Sequence, residues 1–354
     1  VVADVAYARP RKAIQIIQGA KFMANVTVLG AGAWGTAFGQ VLADAGNNVT
    51  MWAIEPEIVE GIRDHHHNGV RLPSVETLPS NMTATGDRAE AVANADIVIV
   101  AIAAQFARVA LTEFKGLIPE TALVASLMKG IERTTGKRMD EVVMETLDLP
   151  AERFAAISGP NLSKQIADRE PAATVVGCAA IDNARTIATA CTTDYFRAFV
   201  TRDVIGLEMC GSLKNVVALA VGMARGAGYG ENTAAMIETR GLAELTALGE
   251  AAGADPKTFA GLAGVGDLIA TCGSPLSRNY TFGSNLGKGL SVEEATKVSN
   301  GVAEGVPTTD AVVALGKQYG VPTPLATAMS HVLDDGISCA QMLSELFGEG
   351  ITEE

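Results

Sequence analysis

The run Val26-Thr-Val-Leu-Gly30-Ala-Gly32-Ala-Trp-Gly35-Thr-Ala-Phe-Gly39 leaves the chain few choices. Asn25–Leu29 reads as a short buried strand and Thr36–Ala45 as the helix that follows it. Between them Gly30 permits a tight turn. Gly32 removes the side chain that would hold a ligand off the backbone, and Gly35 lets helix and strand approach closely. Amides at such a helix start face an anion, and the helix dipole adds attraction. The spacing GxGxxG in this strand–turn–helix setting predicts a pyrophosphate-binding, hence dinucleotide-binding, unit.

The segments that follow extend the same pattern. Val49–Ala53, Asp96–Ala101, Ala122–Ser126 and Phe154–Ser158 read as strands. Pro56–Asp64, Arg88–Asn94 and Lys137–Leu147 read as helices, with His65–Asn81 a polar loop. Apolar strands separated by helices predict a parallel, doubly wound α/β sheet covered on both faces. Beyond about Leu207 the pattern changes to long helices: Gly206–Ala224, Asn232–Ala252, Pro256–Leu262, Val292–Lys297, Thr308–Tyr319 and Pro324–Leu333. Thr174–Gly177 and Phe196–Val200 resemble the last strands. These features predict a dinucleotide-binding domain over 23–203 and a helical domain over 204–354. Residues 1–22, basic and lacking an apolar signal core, are expected to be a disordered extension.

Charge and cysteine content narrow the function. The 354 residues carry a net charge of −13, which argues against nucleic-acid binding. An anionic ligand must then be held by a few local cations. The five cysteines, Cys178, Cys191, Cys210, Cys272 and Cys339, form no CxxC pair. That predicts neither a disulfide framework nor a zinc site, and fits the cytoplasm. The runs Ile97–Ala104 and Val216–Ala224 are too short to span a membrane, so no membrane embedding is expected. No metal is expected either, since adjacent residues such as His65–His67 converge poorly on one ion. Gly283–Gly289 imitates a phosphate loop of nucleotide hydrolases but has one residue too few and no following Ser or Thr.

Polar clusters mark the remaining candidates. Ile54-Glu55 closes the second strand, where Glu55 is placed to accept from a ribose 2′-hydroxyl or merely to cap a helix. Phe106, after the strand Asp96–Ala101, either lines a nicotinamide pocket or packs in the core. Ser126-Leu-Met-Lys129-Gly130, Ser158-Gly159-Pro160-Asn161-Leu-Ser163, Gly211-Ser212-Leu-Lys214-Asn215, Gly264-Val-Gly266-Asp267-Leu268, Ser277-Arg278-Asn279 and Val302-Ala-Glu304-Gly305 complete the set. Each alone has a structural explanation: a surface lysine, a turn, a helix cap, a solvated loop.

Taken together these clusters resemble bacterial NAD(P)-dependent glycerol-3-phosphate dehydrogenase. The matching stretches include GAGAWGTA, SLMKGIE, ISGPNLSKQIA, SLKNVVALAVGMARG, TRGLAEL, GLAGVGDL, SRNYTFG and VAEG, in order from Val26 to about Leu346. The resemblance implies an N-terminal Rossmann domain followed by an all-α domain like that of 6-phosphogluconate dehydrogenase. It implies interconversion of sn-glycerol 3-phosphate and dihydroxyacetone phosphate for phospholipid synthesis, and a homodimer. By position it implies Lys214 as proton acceptor, assisted by Lys129. Lys129, Gly159, Asn161, Asp267, Ser277, Arg278 and Asn279 would contact substrate. Cofactor positions would be Gly30, Gly32, Ala33, Trp34, Gly35, Ile54, Glu55, Phe106, Lys129, Ser163, Arg278, Val302 and Glu304. Ala33, Asn161, Ser163 and Ile54 depart from the residues common in that family. Ile54 stands where Arg or His usually reads the adenosine end, and no basic residue adjoins it. NADH is therefore expected to serve at least as well as NADPH.

The residue chemistry points the same way. Ketone reduction needs a hydride donor and an acid for the developing alkoxide. None of the four histidines falls in a cluster, whereas Lys214 lies in an apolar helix that would lower its pKa. Arg278 suits a phosphate. A β-hydroxyacid or 6-phosphogluconate-type dehydrogenase and a nucleotide-sensing module are the competing classes; the set Lys129, Lys214 and Ser277-Arg-Asn disfavours the first, and the intact polar clusters disfavour the second.

Overall fold

The computed structural model describes residues 23–299 and 303–348. The expectations for residues 1–22 and for Val302 fall outside the described residues. An eight-stranded sheet runs in the order β3-β2-β1-β4-β5-β6-β7-β8. Its strands are β1 (Asn25–Leu29), β2 (Asn48–Trp52), β3 (Met82–Thr85), β4 (Ile97–Val100), β5 (Leu123–Ser126), β6 (Phe154–Ser158), β7 (Ala172–Cys178) and β8 (Phe196–Thr201). In register, Val26 pairs with Val49 on one side and Ile97 on the other. The all-parallel expectation is corrected at one seam, because β7 runs antiparallel to β6. The link between them, with its short helix Ser163–Ala167, returns the chain along the neighbouring strand instead of crossing the sheet. β3, unanticipated because Met82-Thr-Ala-Thr is only weakly apolar, pairs with β2 at the sheet edge.

Seven helices flank the strands: α1 (Ala33–Asp44), α2 (Pro56–His65), α3 (Arg88–Val92), α4 (Ala107–Thr112), α5 (Met139–Leu147), α6 (Ser163–Ala167) and α7 (Ile181–Ala190). At the first turn Gly30 has φ +112°, and a Cβ there would lie 2.7 Å from the Ala101 carbonyl oxygen. A Cβ on Gly35 would lie 2.1 Å from the Gly30 oxygen, so only glycine lets α1 start where it does. The N-cap Gly32 brings no side-chain cap, and a Cβ on it would meet nothing within 4 Å. The first amides of α1 thus have no side-chain cap, and no side chain at the cap position obstructs the approach to them.

The second part is helical: α8 (Val204–Gly226), α9 (Glu231–Ala251), α10 (Pro256–Phe259), α11 (Asp267–Cys272), α12 (Arg278–Gly287), α13 (Val292–Val298), α14 (Gly305–Tyr319), α15 (Pro324–Asp334) and α16 (Cys339–Phe347). Asp203 caps α8 by accepting from the Gly206 amide at 2.9 Å. By length and hydropathy α8 would pass for a membrane span, yet 89% of its most apolar window is buried within the protein. It is the helix around which the others pack. α12 touches it backbone to backbone: a Cβ on Gly222 would lie 2.1 Å from the Tyr280 oxygen, and one on Gly283 would lie 2.0 Å from the Leu219 oxygen. This approach forces Ser277, Arg278 and Asn279 against the middle of α8. Sequence reading leaves them in a loop, since Arg-Asn-Tyr-Thr-Phe-Gly-Ser-Asn shows no strong apolar stripe.

Candidate active site

α8 carries Lys214 and Asn215 inward, 6% and 5% exposed. Opposite them the chain makes a π-helical turn at Leu262–Gly266, closed by the Gly266 amide on the Gly261 carbonyl at 3.1 Å. Such wide turns often mark functional sites. This one delivers Asp267, almost wholly buried, to the start of α11. The Asp267 carboxylate takes two ammonium groups at once. Lys214 Nζ donates to Oδ1 at 2.5 Å, and Lys129 Nζ, from the loop after β5, donates to Oδ2 at 2.7 Å. Lys214 also donates to Thr271 Oγ1 at 2.5 Å, and Lys129 to the Gly159 carbonyl at 3.2 Å. The sheet and the helical domain thus meet on one carboxylate.

Electrostatics follow from this geometry. Burial lowers the Lys214 pKa to about 8, and repulsion from Lys129 assists, while Asp267 opposes both. Burial alone would raise the Asp267 pKa, but the two ammonium groups outweigh it and hold the carboxyl below its usual range. Lys214 is therefore a group able to hold or release a proton near neutral pH.

A cavity of about 260 Å³ opens onto this cluster. Trp34, Lys129, Asn161, Ser163, Lys214, Ser277, Arg278 and Asn279 line it, together with Lys164, Asn215 and Thr271. Asn161 is held by β7, donating to the Ala173 carbonyl at 3.2 Å and accepting from Thr174 at 3.0 Å. Ser277 caps α12. Asn279 donates to Asn215 at 2.8 Å and accepts from the Gly305 amide at 2.8 Å, which ties α12 and α14 to α8. Arg278 is exposed at the rim. Glu304 is half-buried. Burial raises its pKa, with Arg278's charge opposing, and a Cβ on Gly130 would come 3.8 Å from its Oε2. A larger neighbouring cavity of about 460 Å³ is lined by Pro160, Leu162, Ile166, Pro171 and Leu262, with Glu170 and no cation, so it suits a phosphate poorly.

Other expected positions lie apart from the lysine cluster. Gly30, Gly32, Ala33 and Gly35 form the turn into α1. Ile54, 73% exposed, and Glu55 close β2 and open α2. Phe106 is 68% exposed on a single turn after β4, so the core-packing alternative fails. Sequence reasoning missed Thr271, whose signal was its place one helical turn after Asp267. It also missed Arg71, whose guanidinium pairs with Glu55 at 3.0 Å. The absence of an adjacent cation was true of the sequence but not of space, because the 66–81 loop folds Arg71 back over the end of β2. Nothing local in that loop signals the contact. Among the described residues no group of three or more His, Cys, Asp or Glu is placed to hold a metal.

Fold and site together define a two-domain dinucleotide-binding protein with a cation-rich cleft between the domains. Residues 25–184 match the family model for the NAD-dependent glycerol-3-phosphate dehydrogenase N-terminus, and 203–344 that for its C-terminus. A glycerol-3-phosphate dehydrogenase [NAD(P)+] of Bifidobacterium longum (strain NCC 2705) is 83% identical over 330 residues, 93% of this chain and 99% of the relative. That of Corynebacterium kroppenstedtii is 48% identical over 92% of this chain and 98% of its own. The crystal structure of glycerol-3-phosphate dehydrogenase from Coxiella burnetii superposes with a TM-score of 0.87 at 30% identity, covering 92% and 99% of the two chains. The chain belongs to the NAD-dependent glycerol-3-phosphate dehydrogenase family.

Proposed function

We propose that this protein interconverts sn-glycerol 3-phosphate and dihydroxyacetone phosphate with NAD(H) or NADP(H). The observation that carries the reading is a single buried carboxylate gripping two lysines at the mouth of a cation-lined cavity, beside an uncapped glycine-turn helix. The open first turn of α1 fits a pyrophosphate, held by the amides around Gly32, Ala33 and Trp34. The dinucleotide, when bound, supplies or takes up the hydride. In reduction Lys214 gives its Nζ proton to the substrate oxygen as the carbonyl carbon gains hydride. In oxidation neutral Lys214 takes that proton from the hydroxyl. Asp267 and Thr271 aim its ammonium, and Lys129 adds positive charge where the alkoxide develops. Arg278, with Ser277 and Asn279 beside it, is placed to read the phosphate dianion. Asn161 lines the cavity, and the Gly159 carbonyl holds Lys129 beside it.

For the cofactor, the Arg71–Glu55 pair supports use of both forms. Glu55 can accept from a ribose hydroxyl, and Arg71 can turn to a 2′-phosphate. NADH is expected to serve at least as well as NADPH, since the carboxylate shares the site. Ser163 and Glu304 complete the cofactor contacts in this reading. The dinucleotide-binding unit spans 23–203 and the helical catalytic unit 204–354. Cytoplasmic location, supported by five buried unpaired cysteines, a homodimer and supply of glycerol 3-phosphate to phospholipids belong to the same reading. Initial rates with dihydroxyacetone phosphate and each reduced cofactor test the activity, with unphosphorylated dihydroxyacetone as control. No turnover with either cofactor would sink the proposal. Light scattering of the eluted protein reports the subunit count.

A further inference from the structure

One cation on the cavity wall has no part in the chemistry above. Lys164 is the second residue of α6, and its Nζ is held by Asp168 Oδ2 at 2.6 Å, one helical turn later on the same helix. The pair is half exposed, and Lys164 lines the same cavity as Trp34 and Ser163. How α6 sits explains what Lys164 faces. Gln40 Nε2 donates to the Ala167 carbonyl at 2.9 Å, and Arg169 pairs with Asp44 at 2.8 Å. Residues 40 and 44 of α1 thus stand beside 167 and 169, so the two helices run side by side in the same direction. Residues 163 and 164 consequently lie level with the first turn of α1, whose amides are left without a side-chain cap.

We infer that Lys164 is a pyrophosphate-reading residue for the dinucleotide, released from Asp168 when the cofactor enters. This deepens and rests on the reading of the cleft as a dinucleotide dehydrogenase site. The turn around Gly32 offers amides and a helix dipole but no full positive charge, and Ile54 offers none. Lys129 and Lys214 are committed to Asp267. Arg278 sits on the opposite wall with the helical domain. Lys164 is the ammonium on the sheet side of the cavity whose only anionic partner among the described residues is another exposed side chain. An exposed ion pair of this kind is weak, and a diphosphate outcompetes a single carboxylate.

The test is NADH affinity by fluorescence titration without substrate, so that it stands whether or not dihydroxyacetone phosphate is turned over. Lys164→Gln should weaken NADH and ADP-ribose alike, by about tenfold for loss of one charge-assisted contact less the cost of its exposed pair. Lys164→Arg should restore most of the affinity. Asp168→Asn should tighten NADH binding by about twofold or more, because the competing carboxylate is gone. The KM for dihydroxyacetone phosphate at saturating NADH should stay within twofold for all three variants. Unchanged NADH affinity in Lys164→Gln would overturn the inference, as would a rise confined to the KM for dihydroxyacetone phosphate. Asp168→Asn binding no tighter than the parent would overturn the release step.

Discussion

Removing the charge of Asp267 should move the working pKa of Lys214 further from its ordinary value. In the native site burial and Lys129 push that pKa down, and Asp267 is the main group pulling it up, with a smaller contribution from Cys272 and the balance at about 8. Asp267→Asn keeps the shape and deletes the pull. Two unit charges about 4 Å apart at an effective dielectric of about 20 interact by roughly 4 kcal/mol, or nearly three pKa units. Hydration of the relaxed site recovers part of this, so a fall of about two units is expected. At pH 7 the protonated fraction of Lys214 then drops from about nine-tenths to about one-tenth. Reduction of dihydroxyacetone phosphate needs that proton. In the native protein its kcat/KM should decline as pH rises through about 8, while oxidation of glycerol 3-phosphate should rise through the same pH. In Asp267→Asn both inflections should move to about 6, and reduction at pH 7 should fall by about tenfold from titration and more from lost aim. The assay is the absorbance of NADH from pH 5.5 to 9.5 in both directions, with a thermal melt to confirm folding. An inflection still near 8 in Asp267→Asn would show that Asp267 does not set the proton affinity of Lys214. A native inflection above 10 would refute the burial argument itself.

Lys214→Ala should cost about 10²–10⁴-fold in turnover while NADH affinity, measured by fluorescence, stays within a few fold; near-native turnover would remove Lys214 from the mechanism. Arg278→Ala should raise the KM for dihydroxyacetone phosphate by about tenfold or more, with little effect on unphosphorylated dihydroxyacetone, since one charge-assisted phosphate contact is lost. Equal losses on both ketones would show that Arg278 does not read the phosphate. Arg71→Ala should lower the NADPH/NADH ratio of kcat/KM and Ile54→Arg should raise it, each by about tenfold at low ionic strength, with added salt blunting both. A ratio that ignores both substitutions would place the 2′-phosphate elsewhere.

The local part of this protein was legible in its sequence. Gly30 and Gly35 stand where a Cβ would strike backbone, so the residues that open the Rossmann unit could hardly be anything else. Apolar runs such as Ile97–Val100 announced buried strands because strands covered on both faces bury every residue. Lys214 could be picked out by its apolar helix, and its lowered pKa follows from that burial. What depends on distant partners was not legible. The antiparallel β7 reflects how the chain returns after β6, which no periodicity encodes. α12 shows only a weak apolar stripe because Gly283 and Gly287 share its buried face with just two large apolar residues, Phe282 and Leu286. Arg71 meets Glu55 across a separation of 16 residues that contains the whole of α2 and the start of the loop after it. The union of Lys129 and Lys214 on Asp267 spans 138 and 53 residues of chain respectively. Sequence sets backbone freedom, periodicity and chemical type, all short-range properties. Which charges become neighbours is decided only when two domains close on one another, and there the proton affinity of the site is settled.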